Sequence, residues 1–272
     1  MLKDSRSTDI LYDIYPFVQV YKDGRIERFI GTDRVPATTG VESKDIKIAP
    51  KRNVSARVYV RNRHAIPFGR KLPLLIYFHG GGFVTESVFS PTYHTFLNAL
   101  VDEANIIAVS IEYRLAPEHL LPIAYEDSWL ALNWVVSHYE GNENEMWLNK
   151  HADFGNVYLR GDSAGANIAH NMAMRVGLAS PEYPIKFSRV FLICPYFLGK
   201  RPIGNEAADP IRRNLFQSLW IHSYPNSRGL GDPLVNPAVD PKLSRLGCTS
   251  MLIFVAGKDF LRDREWFTLS HC

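Results

Sequence analysis

The pentapeptide Gly161-Asp162-Ser163-Ala164-Gly165 carries the strongest chemical signal in the chain. An apolar run, Val157–Arg160, leads into it, and helical spacing begins at Ala164. A serine between two glycines in that setting suits a sharp strand–turn–helix corner that lifts its hydroxyl clear of the backbone. Glycine is needed on both sides because a Cβ there would clash with strand and helix. The helix start beneath the serine offers N–H groups and a favourable dipole to a developing oxyanion. The chemistry expected is attack by Ser163 on a carbonyl carbon through an acyl intermediate. A second signal, His79-Gly80-Gly81-Gly82-Phe83, follows the apolar run Leu72–Phe78. Successive glycines let main-chain N–H groups approach a ligand, so the expected oxyanion donors are Gly81 and Gly82, joined by Ala164. A phosphate-cradling loop is the competing reading, and the Lys-Ser/Thr that such a loop needs does not follow. His79, ahead of the loop, is expected to be structural.

The elements that must position these residues alternate along the chain. Ala56–Val60, Leu72–Phe78, Ile106–Tyr113, Val157–Arg160, Val190–Cys194 and Met251–Ala256 are β-rich, and several are continuously apolar. Continuous apolar runs are how strands buried on both faces of a parallel sheet read. Tyr93–Ala104, Ala124–His138 and Ala164–Val176 place apolar residues on helical stripes between them. The pattern predicts an α/β fold with a mostly parallel sheet. Phe17–Tyr21 and Arg25–Phe29 flank a Gly-containing turn and predict a hairpin. Pro195–Asp240 is rich in proline and glycine around a helical piece, Arg212–Ser223, and is expected to cover one end of the sheet.

Composition narrows the functional classes. The 272 residues suit one large domain or two small ones. Lys plus Arg is 31 against 28 for Asp plus Glu, a balance that gives no electrostatic case for a nucleic-acid partner. Arg57, Arg61, Arg63, Arg70 and Lys71 cluster without aromatic interleaving and are expected to form a solvated face. No apolar stretch approaches the ~18 residues of a membrane span, and Met1–Arg6 opens no secretory signal. Three cysteines without a pairing pattern fit a reducing compartment, taken here as the cytoplasm, and Cys194 is expected to be a buried thiol. No zinc spacing and no dinucleotide motif is present, so no metal or cofactor is expected.

Taken together, His79–Phe83, Tyr113-Arg-Leu-Ala-Pro-Glu-His119 and Gly161–Gly165 resemble the hormone-sensitive-lipase branch of the α/β-hydrolases. Glu86–His94 and Tyr125–Trp129 resemble the plant carboxylesterases within it. The resemblance runs from about Ile14 to Arg264 and implies a single α/β-hydrolase domain over 1–272. Helices would lie on both faces of its sheet, with a cap formed by about 1–35 and 195–240. It implies a carboxylic ester hydrolase for small uncharged esters, with Tyr113–His119 as support beside the active site. The family pattern places the triad acid at Asp259, in the loop after Met251–Ala256, with Asp263 a few residues into the next helix. That helix would continue beyond Arg264, yet Glu265–Cys272 departs from the family. The triad order is Ser, Asp or Glu, then His, which puts the histidine roughly 25 residues or more past the acid. Only thirteen residues follow Asp259, and His271 is the one histidine among them. A tail with no anchoring strand positions a base poorly. The expectation is therefore a hydrolase without its last helix, strand, catalytic histidine and closing helix, impaired in turnover, with Met251–Ala256 as an exposed sheet edge. The alternative is a non-catalytic, hormone-receptor-like binder, because the plant gibberellin receptor resembles this scaffold with its triad histidine replaced. A third expectation is a non-functional product of an altered transcript. Oligomeric state is left open.

Overall fold

A computed structural model describes residues 9–37, 41–67, 69–141, 143–179 and 181–270. Its strands are β1 (Ile10–Ile14), β2 (Val18–Tyr21), β3 (Ile26–Arg28), β4 (Val41–Ala49), β5 (Val54–Arg61), β6 (Leu72–Phe78), β7 (Ile107–Glu112), β8 (Ala152–Asp162), β9 (Phe187–Ile193) and β10 (Cys248–Phe254). Its α-helices are α1 (Pro91–Ala104), α2 (Ile123–Ser137), α3 (Met146–His151), α4 (Ala164–Leu178), α5 (Asn205–Ala208), α6 (Pro210–Ser223) and α7 (Arg262–Leu269). The main sheet has seven strands in the order β10-β9-β8-β6-β7-β5-β4. β7, β6, β8, β9 and β10 pair in parallel, while β5 and β4 add antiparallel at one edge.

Strand alternation divides the core between the two sheet faces. Leu74, Ile76 and Phe78 of β6 pack with α2 and α4, whereas Leu75 and Tyr77 pack with Tyr93, Leu97 and Val101 of α1. Successive side chains of a strand point to opposite faces, so a strand apolar at every position needs a helix on each side. This explains why β6 and β7 read as unbroken apolar runs.

β1, β2 and β3 form a separate antiparallel sheet. Arg28 fastens it to the body by donating to the carbonyls of Val84 and Ala116 and pairing with Glu118. Thr85 Oγ1 adds a bond to the carbonyl of Ile30. On α6, the His222 ring lies against Tyr12 of β1, with centroids 4.2 Å apart and the planes tilted by 34°. No helix of the described residues is long and apolar enough to cross a membrane.

The structure departs from the sequence expectations at three places. Arg57 is not part of a solvated face; it is 1% exposed and bonded to Asp45, its direct cross-strand partner on β4. Cys194 lies just past the end of β9 and is only half-buried. α7 continues through Glu265 to Leu269, a stretch that the sequence reading expects to depart from the family pattern.

Candidate active site

Ser163 stands between β8 and α4 with φ +50° and ψ −117°. A left-handed φ is costly for a residue with a Cβ and persists where surrounding bonds fix it. Here the Ser163 N–H donates to Ile193 O at 2.9 Å, and its carbonyl accepts from Tyr196 and Asn167 at 3.0 and 3.1 Å. Asn167 is itself held, accepting from Tyr125 and donating to the carbonyls of Tyr196 and Leu234. The Ser163 hydroxyl makes no hydrogen bond among the described residues and is half-buried at the start of a fifteen-residue helix. Gly165 is required by close approach: a Cβ there would run into the carbonyls of Phe78 and His79 at the end of β6.

That approach places the glycine loop against the serine corner. Gly81 has φ +98°, and its carbonyl accepts from both Val84 and Thr85 at 3.1 Å in a tight turn. A Cβ on Gly81 would strike the carbonyl of Thr85. The N–H groups of Gly81, Gly82 and Ala164 have no hydrogen-bond partner among the described residues. The Gly80 N–H, by contrast, is occupied and donates to the Tyr93 hydroxyl at 2.7 Å. Tyr93 donates onward to Asp162 Oδ2 at 2.9 Å, and Tyr77 donates to Asp162 Oδ1 at 2.7 Å. Burial pushes the Asp162 carboxyl up, and the two tyrosine bonds oppose that shift. Asp162, Tyr77 and Tyr93 thus tie the serine turn to the glycine loop. Sequence reasoning missed them because Asp162 fills an unspecified motif position and both tyrosines sit in ordinary apolar patterns.

His79 is fully buried and stacks on Tyr113 at 4.3 Å and 8°. Burial lowers its pKa to about 4, so the ring is neutral, with Nδ1–H assigned as donor to Gly80 O at 2.9 Å. Tyr113 OH donates to His79 O at 2.7 Å, and Arg114 forks onto Asp127.

Asp259 sits in the turn between β10 and α7. Its Oδ2 accepts from the Leu261 N–H at 2.9 Å. Cys194 follows the residue that accepts from Ser163, and its N–H bonds to Phe254 O of β10 at 2.9 Å. This pairing brings Asp259, Cys194 and Glu265 together, with one ligating atom of each lying within 4.8 Å of the other two. Glu265 is fully buried, and its carboxyl is pushed up to about 8 by burial first and by neighbouring Asp259 second. Nothing in the spacing pointed to Glu265. The eight histidines among the described residues make no hydrogen bond to Ser163 or Asp259, and His271 lies outside the described residues. Asp263 accepts from the Asn205 N–H at 2.7 Å.

Apolar groups surround the serine and glycine turns. Leu219 of α6 faces Gly82, and Phe83 lies among Tyr125, Tyr196 and Trp220. Phe216 of α6 stacks on Phe260 at 5.2 Å and 9°.

The family described as alpha/beta hydrolase fold matches residues 75–271, so the match runs on through Glu265–His271, against the expectation that the sequence leaves the family after Arg264. Tuliposide A-converting enzyme 1, chloroplastic, of Tulipa gesneriana is 46% identical over 258 residues, covering 94% of this chain and 65% of that enzyme. Probable carboxylesterase 13 of Arabidopsis thaliana is 46% identical, covering 95% of this chain and 83% of that protein. Among solved structures, the hyperthermophilic esterase of the archaeon Pyrobaculum calidifontis superposes with a TM-score of 0.68 at 27% identity, covering 86% of this chain and 71% of that one. The chain therefore spans a little under two thirds of the tulip enzyme's length.

Proposed function

The chain belongs to the alpha/beta hydrolase fold family, and from that premise we propose that it is a carboxylic ester hydrolase whose nucleophile is Ser163. One observation carries the reading: the free Ser163 hydroxyl, on a backbone held at φ +50°, lies beside a glycine loop with unpartnered N–H groups. Ser163 Oγ gives its proton to a water molecule and attacks the ester carbonyl carbon, the carbonyl oxygen gains the charge, and the departing alkoxide takes a proton back from water. The N–H groups of Gly81, Gly82 and Ala164 receive that oxyanion; Gly80 cannot, because Tyr93 holds its N–H. Collapse expels the alcohol and leaves an acyl-serine, which water hydrolyses. Leu219, Phe83 and Trp220 favour small uncharged esters, with β1–β3 and α6 as the cap. The single-domain organisation belongs to the same proposal.

Asp259 is the acid of the triad in this reading. Its carboxylate faces Glu265 and Cys194 where an imidazole is needed. For the 272 residues by themselves we therefore place turnover far below that of a complete triad, because no histidine of the described residues bonds to Asp259 or Ser163. Loss of the base costs on the order of 10⁶ in rate, while oxyanion stabilisation alone leaves ~10³–10⁴ over water. Cys194 forms no disulfide among the described residues, which supports a reducing compartment such as the cytoplasm; the tulip relative's name assigns that enzyme to the chloroplast.

The test combines fluorophosphonate labelling with p-nitrophenyl butyrate hydrolysis by the 272-residue chain, beside Ser163→Ala and His271→Ala. Expected are stoichiometric labelling at Ser163 and slow release of p-nitrophenol that Ser163→Ala abolishes. Folded protein that stays unlabelled while binding a small hydrophobic acid saturably would replace the enzyme with a hormone-receptor-like binder. Fast turnover lost in both variants would assign the base to His271 and overturn the impairment.

A further inference from the structure

We propose that Cys194, Asp259 and Glu265 form a binding site for a thiophilic divalent cation of the zinc class. The three residues come from three segments: the end of β9, the turn after β10, and the first turn of α7. The Cys194 Sγ and one carboxylate oxygen from each acid lie within 4.8 Å of one another. Zinc bonds are about 2.0–2.3 Å long, so a shift of roughly an ångström by these side chains closes the set around one ion.

An independent observation points to a ligand. Glu265 is 0% exposed, and among the described residues no N–H or O–H group donates to its carboxylate, whose polar neighbour is the Asp259 carboxyl. A buried, unpaired carboxylate costs several kcal/mol, so the group must take up a proton or a cation. The flanking arginines do not supply the charge. Arg262 is bonded to Gly257 O and paired with Asp263, and Arg264 is committed to Glu206 and Arg201 O. A second acid beside Glu265 raises the demand for positive charge. Asp259 and Cys194 are half-buried and leave a path from solvent.

The donor set selects the ion. One sulfur and two carboxylate oxygens, with water in the fourth position, suit four-coordinate zinc. Magnesium and calcium favour sites made wholly of oxygen. When the ion binds, the Cys194 S–H bond breaks and its proton leaves to solvent as the sulfur–metal bond forms. Any proton on Glu265 leaves in the same way. An ion held by Asp259 would also remove the carboxylate that orients a triad base. That inhibitory consequence, unlike the site itself, rests on the hydrolase reading.

Cobalt(II) titration of the 272-residue chain tests the site without any assay of activity. Expected is one equivalent of cobalt, a thiolate-to-cobalt charge-transfer band, and displacement by zinc but not by equimolar magnesium. Cys194→Ser should abolish the band. Glu265→Gln, nearly isosteric and checked for folding by circular dichroism, should weaken zinc binding by at least ~10-fold. Ser163→Ala should bind cobalt unchanged, so the site can stand if the hydrolase reading falls. Absence of the band overturns the proposal, as does a band that survives Cys194→Ser or a zinc affinity that Glu265→Gln leaves unaltered.

Discussion

The Tyr93 hydroxyl accepts from Gly80 N–H and donates to Asp162, the residue before the nucleophile. Removing it frees a buried N–H and a buried carboxylate oxygen together, each costing about 1–3 kcal/mol when unsatisfied. Tyr93→Phe should therefore lower the rate of Ser163 acylation by about 10-fold or more while KM changes little. A pre-steady-state p-nitrophenyl ester assay reads both; a rise in KM alone would assign Tyr93 to substrate binding. Ser163 and the glycines were legible in the sequence because each motif is a contiguous run of five residues, even though Gly165 packs against the distant end of β6. Arg57 was misread for the converse reason. Its carboxylate partner Asp45 lies twelve residues away and becomes adjacent only when β4 pairs with β5.

The serine corner depends on α4 packing hard against the end of β6. Gly165→Ala would place a Cβ against the carbonyls of Phe78 and His79, which are backbone atoms and cannot rotate aside. Overpacking of this kind costs about 1–3 kcal/mol. The expected outcome is a fall in Tm of several degrees together with loss of Ser163 labelling, measured by thermal denaturation and fluorophosphonate reaction. Unchanged stability would mean that the corner relaxes more easily than its packing implies. The long central elements were legible because burial on both faces writes itself as unbroken hydrophobicity. β4 was missed because an edge strand carries charges, Glu42, Lys44, Asp45 and Lys47 among them. α3 and α5, with six and four residues, are too short to show a period.

Across the whole molecule, buried histidines make stability depend on acid. His79 and His170 are both fully buried, and burial lowers each pKa to about 4 from 6.5. Between those values the unfolded chain binds protons that the native rings refuse. Their contribution is complete above about pH 6.5 and declines as the pH falls toward 4, by about 2 kcal/mol per histidine between pH 7 and 5. Asp162, Glu112 and Glu265 have raised pKa values and act in the opposite sense, so the wild-type slope alone does not isolate the histidines. His170→Leu should reduce the loss of stability between pH 7 and 5 by that amount in urea denaturation; an unaltered difference would refute the assignment. The β10 edge gives a second prediction. Leu252, Phe254, Trp266 and Phe267 are 45%, 51%, 58% and 39% exposed, and an apolar edge strand pairs readily with other chains. Light scattering should detect concentration-dependent association that Phe254→Lys suppresses; association unaffected by that change would place the contact elsewhere. By itself, the sequence determined the alternation of strands and helices, the serine corner and the glycine loop, because each follows from local periodicity or from steric demands on adjacent residues. Only the tertiary structure decided that Asp162 binds Tyr77 and Tyr93, that Arg57 is buried, and that Glu265 meets Asp259 and Cys194. Those contacts join segments far apart in the chain, and strand order and register, set by burial of the whole sheet, bring them together.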